Sequence, residues 1–301
     1  MIPEIPGVVY ALTSAFSWAL STVLVNRGLA RLRRRDGGRD IALGLAASLL
    51  TGSVLLSAVV LPRFDPGTIT LTLVLAGVFT FPLGTGLYYL TAELYMQNAE
   101  IAAQFVKVKP IFSVVFALLL GERLGRLTGM GLGLIVAGLA VLLVATVRSA
   151  FSRLATIIGL TTALSWSVGE ALMKVGVADV SSLVATYIAL ITGTAVYLVV
   201  AIPFMYGEVR PRAAYREGWL LPFVGHGVLS MALAYTTFFT AIKAIGLAQT
   251  ALITAFWPML AIGLNYTIDR ARGEPARTEI GMRYLLSASG LLVLGSLLAA
   301  L

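Results

Sequence analysis

Ten membrane-spanning helices, arranged as two five-helix repeats that enter the bilayer from opposite sides, make up the all-α integral membrane fold this sequence predicts. Three observations predict it: an apolar composition that a soluble core of this size would not use, punctuation into stretches long enough to cross a bilayer, and a self-similarity at an offset of 148 residues.

Composition excludes several classes first. Of 301 residues, 58% are hydrophobic and 12% are charged, where an ordinary soluble chain is about 25% charged. Mean hydropathy is +0.92, so the apolar surface belongs in lipid and disorder is excluded. The absence of cysteine removes disulfides, thiolate metal sites and cysteine nucleophiles together, and the single histidine, His226, cannot build a histidine metal cluster. No metal and no cofactor is expected. The net charge of +8 resides in short loops and forms no continuous stripe, which points to membrane topology and away from nucleic acid. Residues 1–6 hold Glu4 and no Lys or Arg, so the basic region of a cleavable signal is missing and the first apolar stretch is expected to remain as a helix.

A span takes about 20 mostly apolar residues. Polar punctuation places ten, in order, near 7–29, 41–61, 69–92, 99–120, 127–147, 154–175, 181–205, 218–241, 246–267 and 280–300. The segments are long and lack strict alternation, which favours helices over a barrel. Small residues at helical spacing, such as Gly129 with Gly133 and Gly131 with Gly138, are expected to bring helices close together. Lys107, Lys109 and Arg283 are placed within spans and left out of the count; the other basic residues lie in loops or, like Arg27 and Lys174, at the ends of spans and are counted with the adjoining loop. Loops after odd-numbered spans hold Arg27, Arg31, Arg33, Arg34, Arg35 and Arg39, then Arg148 and Arg153, then Arg210, Arg212 and Arg216, then Arg270, Arg272 and Arg277. Loops after even-numbered spans hold Arg63, Arg123, Arg126, Lys174 and Lys243. Fourteen against five places the odd loops in the cytoplasm and both termini outside, in a multi-pass protein of the cytoplasmic membrane.

The repeat divides the chain into 1–150 and 151–301. Ser17-Trp18 recurs as Ser165-Trp166 and Pro110 as Pro258, both at 148. Beyond the next loop the offset becomes 152: Gly121-Glu122 matches Gly273-Glu274, Gly129 matches Gly281 and Gly138 matches Gly290. Five crossings is an odd number, so the second half starts from the opposite side and the repeats are inverted. Exchange between two pseudo-symmetric conformations of such a pair opens one central site to either face, which is alternating access.

These residues resemble the drug/metabolite transporter superfamily, specifically its EamA-type ten-helix members. The likeness is carried by Gly7-Val8-Val9-Tyr10-Ala11-Leu12, Ser17-Trp18-Ala19-Leu20, Pro110-Ile111-Phe112-Ser113-Val114-Val115 and Gly121-Glu122-Arg123-Leu124. In the second half Gly159-Leu160, Ser165-Trp166, Pro258, Arg272-Gly273-Glu274, Gly281 and Gly290 carry it. The resemblance implies a secondary transporter with a cavity between the halves, commonly an exporter of amino acids or other small metabolites, distantly similar to the YddG-like exporters. Lys107 and Lys109 before the proline depart from that pattern.

Ionisable residues inside spans are candidate sites, because a charge at the bilayer centre costs about 2.5–3.5 kcal/mol on insertion scales. Lys107 and Lys109, two apart, point roughly 200° away from each other, so one pathway wall does not easily hold both. Pro110 is expected to kink its helix and, with Pro258, to act as a hinge. One lysine is expected to pair with Glu93 or a freed carbonyl, and the other to bind a substrate carboxylate or comparable anion. Glu93 is either a proton-coupling carboxylate or an interfacial residue in water. Glu170 and Lys174, four apart in the favourable order, suggest an intrahelical pair, with Glu170 as a coupling candidate otherwise. His226 either relays protons or bonds to a neighbouring helix. Trp18, Trp166, Tyr88, Tyr89, Tyr235 and Trp257 either line a cavity, offering apolar and cation-π contact, or pack helices. Gln104, Asn98 and Gln249 add polar contacts or interhelical bonds.

The G-x-x-x-x-G-K-[ST] phosphate loop is missing, so transport would draw on a gradient, with proton or ion coupling left open. An intramembrane enzyme would want a G-x-S-x-G elbow or paired aspartates, neither of which is present. A scaffold or receptor has no need of two exchangeable halves.

Overall fold

The computed structural model describes residues 4–32, 38–94, 107–150, 153–205, 218, 220–273 and 282–301. Ten helical spans carry them. They are α1 (Glu4–Leu32), α2 (Gly38–Val60), α3 (Leu71–Val78, Phe79–Thr85 and Gly86–Leu94), α4 (Lys109–Leu119) and α5 (Arg126–Ala150). The second half holds α6 (Arg153–Gly176), α7 (Ser182–Met205), α8 (Leu221–His226, Gly227–Ala234 and Tyr235–Ile245), α9 (Leu247–Thr254 and Trp257–Ala271) and α10 (Met282–Ala300). Seven of the described helices are long and apolar enough to cross a bilayer, and Lys109–Leu119 and Leu286–Ala300 add shorter apolar stretches. α6 is 24 residues long and less apolar, since it carries Glu170 and Lys174.

The sequence repeat reappears in the backbone at the same offsets. The middle segments of α3 and α8, Phe79–Thr85 and Gly227–Ala234, are both π-helical and begin 148 residues apart. Pro110 and Pro258 each sit in the first turn of a new helix, after the N-caps Val108 and Phe256. The turns close alike: Ile111 N donates to Val108 O at 3.0 Å and Met259 N to Phe256 O at 2.9 Å. The expected proline kink is therefore corrected to a helix start, where the missing N–H has no partner to lose. The turns that end α4 and α9 each place a glycine in the left-handed region, Gly121 at φ 85° and Gly273 at φ 70°, offset by 152.

Packing interleaves the halves. α1 lies against α8 and α9, and α2 against α8; correspondingly α6 lies against α3 and α4, and α7 against α3. Exchanging each helix for its counterpart five places on maps one group onto the other. The α2–α7 and α4–α9 contacts join the groups, and α5 pairs with α10. Backbone approach in that pair needs glycine: a Cβ on Gly131 would lie 2.5 Å from Gly295 O, and one on Gly138 would lie 3.1 Å from Leu291 Cβ. Gly129 and Gly133 have open space at their Cβ positions, which corrects their expected role in close helix contact.

Contacts at the loops sort the two faces. Residues at the ends of even-numbered helices meet: Lys174 Nζ is 2.8 Å from Glu122 Oε1, and Lys243 Nζ donates to Val180 O at 2.9 Å. At the ends of odd-numbered helices, Arg27 pairs with Asp269 at 3.0 Å. That is the alternation an inverted 5+5 topology requires.

Candidate functional site

The centre of the bundle is organised by the π segment of α3. Pro82 supplies no amide there, and the widened turn frees carbonyls. Two side chains of α6 use them: Ser165 Oγ donates to Phe79 O at 2.8 Å, and Trp166 Nε1 to Thr80 O at 2.9 Å. Gly84 makes the approach feasible, since a Cβ there would lie 2.1 Å from Trp166 Cδ1. Trp166 is thereby fixed. Its repeat partner Trp18 is held by rings instead, with Phe238 at 4.9 Å, Tyr235 at 5.4 Å and Trp257 at 6.4 Å between centroids.

Lys109 projects between these two tryptophans. Its Nζ stands 4.9 Å from the Trp18 ring, 5.9 Å from the Trp166 ring and 4.7 Å from the Phe238 ring. It is ion-paired with Glu170, whose second oxygen accepts from Ser113 Oγ at 2.7 Å. Ser113 and Ser167 share a hydrogen bond at 3.1 Å, and Ser167 Oγ also reaches Lys109 O at 3.1 Å. Lys109 is 7% exposed and Glu170 1%. Burying two charges is tolerable only while they stay together; removing one partner from such a pair costs about 3–5 kcal/mol. The aromatic faces add cation-π attraction of about 0.5–2 kcal/mol each.

Lys109 also forms part of the wall of a central cavity. Trp18, Tyr88, Trp166, Tyr235 and Trp257 make its aromatic side, and Ser21, Thr22, Thr85, Ser230 and His226 its polar side. A second, smaller space lies where the proline-led helix starts of α4 and α9 meet, lined by Lys107, Lys109, Pro110, Thr254, Trp257 and Pro258. Both lysines border the second space, where one wall was not expected to hold them together, and Lys109 borders the first as well.

Other expectations divide. The intrahelical Glu170–Lys174 pair is corrected: Glu170 pairs with Lys109 across to α4, and Lys174 pairs with Glu122. Lys109 takes Glu170 as its partner; the expected pairing of one lysine with Glu93 involves a side chain outside the described residues. Tyr89 stands behind His226, and the two share a hydrogen bond at 3.3 Å that joins α3 to α8. Gln249 makes an interhelical bond, Nε2 to Ala299 O at 2.9 Å. Gln104, Asn98 and the side chain of Glu93 lie outside the described residues.

Sequence reasoning missed Ser113 and Ser167, which hold the ion pair, and the hydroxyls of Ser21, Thr22, Thr85 and Ser230. It also missed Glu122. Both of its oxygens accept from the first turn of α9, Leu247 N at 2.8 Å and Ala248 N at 3.0 Å, beside Gly246 at φ 88°. This carboxylate ties the first half to the second, and its signal was present in the repeated Gly-Glu dipeptide.

A family described as the EamA-like transporter family matches residues 5–144 and 153–272. A solved crystal structure of a protein with 20% sequence identity aligns at a TM-score of 0.67, covering 95% of this chain and 96% of that chain; at that identity the likeness is one of fold. No curated protein matches the sequence.

Proposed function

The chain belongs to the EamA-like transporter family, whose members move small molecules across membranes, and on that premise we propose a secondary active transporter working by alternating access. Its cargo in this reading is a small organic metabolite, an amino acid or a similar solute, carried across the cytoplasmic membrane in the direction of export. The observation that supports the reading best is the buried Lys109–Glu170 pair enclosed by Trp18 and Trp166, at the junction of two helix groups that exchange under the repeat. A charge in that position binds strongly and selectively, because little water competes with the solute.

Trp18, Trp166, Tyr88 and Trp257 supply apolar and cation-π contact in this account, and Lys109 the charge. Lys107 and Tyr89 belong to the surrounding layer, and Gln104 is a further candidate by its sequence position alone. The matched helix starts at Pro110 and Pro258 are the hinges about which the segments that follow them reorient. Glu93, Glu170 and His226 are the candidates for proton coupling. The excess of arginine in loops after odd-numbered helices puts that face in the cytoplasm and both termini outside.

Purified protein in liposomes should move members of an amino-acid, organic-acid and amine panel down a solute gradient without ATP. Absence of flux across the whole panel, with the protein correctly inserted, would contradict the reading.

A further inference from the structure

We propose that the central site recognises its solute by a carboxylate group and takes up one proton with it, on Glu170. The consequence for transport rests on the proposed transporter function; the binding chemistry does not.

The two members of the ion pair are placed differently. Lys109 reaches the cavity wall, whereas Glu170 stands behind it, with one oxygen toward Lys109 and the other bonded to Ser113. Among the described residues no Asp or Glu lines either space. An incoming ammonium group therefore finds rings and no carboxylate, while an incoming carboxylate finds the lysine and the hydroxyls of the cavity's polar side.

Charge balance decides the fate of the pair once a carboxylate arrives. The empty site holds one positive and one negative charge and is neutral. Adding a carboxylate would bury an excess negative charge in the middle of the membrane, at a cost of several kcal/mol. Neutrality returns when Glu170 accepts a proton. Lys109 exchanges one carboxylate partner for another, and the Glu170 carboxyl, now neutral, keeps a hydrogen-bond partner: the Ser113 hydroxyl turns to donate to Ser167 Oγ, 3.1 Å away, and accepts the carboxyl O–H. One proton and one carboxylate enter, one Lys–Glu pair opens and one Lys–solute pair forms.

The groups around Glu170 leave it as the acceptor for that proton. From α4 it faces Lys109 and Ser113, with Lys107 beyond; on α6 it has Ser167, with Lys174 one turn on and engaged by Glu122; from α8 it faces Tyr235, and across the cavity are His226 and, from α3, Tyr88. No second carboxylate faces it from these groups, and the repeat-equivalent position of Glu170 is Thr22, so the stoichiometry is one. Loaded and empty sites are both neutral, and solute and proton travel the same way. Net export would then need a solute gradient steeper than any opposing proton gradient.

The test is calorimetric titration of detergent-purified protein with phenylacetate and, separately, phenethylamine, in buffers of different ionisation enthalpy. Phenylacetate should bind with uptake of one proton, its affinity falling about tenfold per pH unit where uptake is seen, and phenethylamine should not compete. Glu170→Gln should bind phenylacetate without proton uptake or pH dependence. Lys109→Gln/Glu170→Gln, which leaves no orphaned charge, should lose carboxylate binding and keeps the test decisive if the single variant does not fold. Binding without uptake in the wild type, uptake persisting in Glu170→Gln, preference for the amine, or no binding of either probe would overturn the proposal. Binding with proton uptake but no flux in liposomes would instead remove the transport reading and leave this one standing; flux without proton movement would do the reverse.

Discussion

Two corners of the centre are built on the same backbone and carry different chemistry. Where α4 meets α6, Lys109 pairs with Glu170, supported by Ser113 and Ser167. Where α9 meets α1, the equivalents at offset 148 are Trp257, Thr22, Ala261 and Ala19. The helix starts at Pro110 and Pro258 close with the same hydrogen bonds, so the backbone does not explain the contrast. Symmetry belongs to the scaffold, which must be able to adopt two related arrangements, while charge is confined to one corner. Two such pairs would double the charge buried in lipid; one pair also gives a bound solute a single orientation.

Breaking the charged corner should have the largest effect. Lys109→Ala leaves Glu170 buried and unpaired, costing about 3–5 kcal/mol in thermal unfolding in detergent, together with loss of flux. Lys109→Ala/Glu170→Ala should recover most of that stability and none of the flux. Unchanged transport in either variant removes the pair from the mechanism.

Rebuilding the pair at the uncharged corner sharpens the comparison. Trp257→Lys alone should destabilise, and adding Thr22→Glu should restore about 2 kcal/mol, read as the coupling in a double-mutant cycle. A coupling near zero would mean that the two corners are less alike in backbone than their offsets say.

A smaller contrast concerns the π segments. Gly84→Ala drives a methyl into Trp166 and should cost about 1–3 kcal/mol by overpacking. Its equivalent is already Ala232, and Ala232→Gly should cost only about 0.5–1 kcal/mol. Equal losses in the two variants would show that Trp166 is not specially seated.

Much of the fold was legible because membrane spans and repeats are long-range patterns: nine spans fall close to their predicted places, the fourth, expected at 99–120, lies outside the described residues before 107, and the offsets of 148 and 152 recur in helix starts and left-handed glycines. The π segments were not. Pro82 marks the first, but the second, Gly227–Ala234, contains no proline. The partner of Glu170 was missed because helical spacing favours Lys174, four residues on. Lys174 lies near the end of α6, where its side chain is 30% exposed, and takes Glu122; an acid buried inside the bundle instead takes the cation that comes to it from another helix. Gly129 and Gly133 looked as suitable for packing as Gly131 and Gly138, because α5 is apolar nearly all round and its sequence does not reveal which face meets α10.

The most direct measurement is equilibrium binding of the transported solute to three proteins: wild type, Lys109→Gln/Glu170→Gln, and Thr22→Val at the opposite corner. The charged-corner variant should bind at least about tenfold more weakly, a loss of about 1.4 kcal/mol or more, while Thr22→Val should stay within about threefold of wild type. Equal losses at the two corners, or the larger loss at Thr22, would contradict the assignment of the site to Lys109 and Glu170.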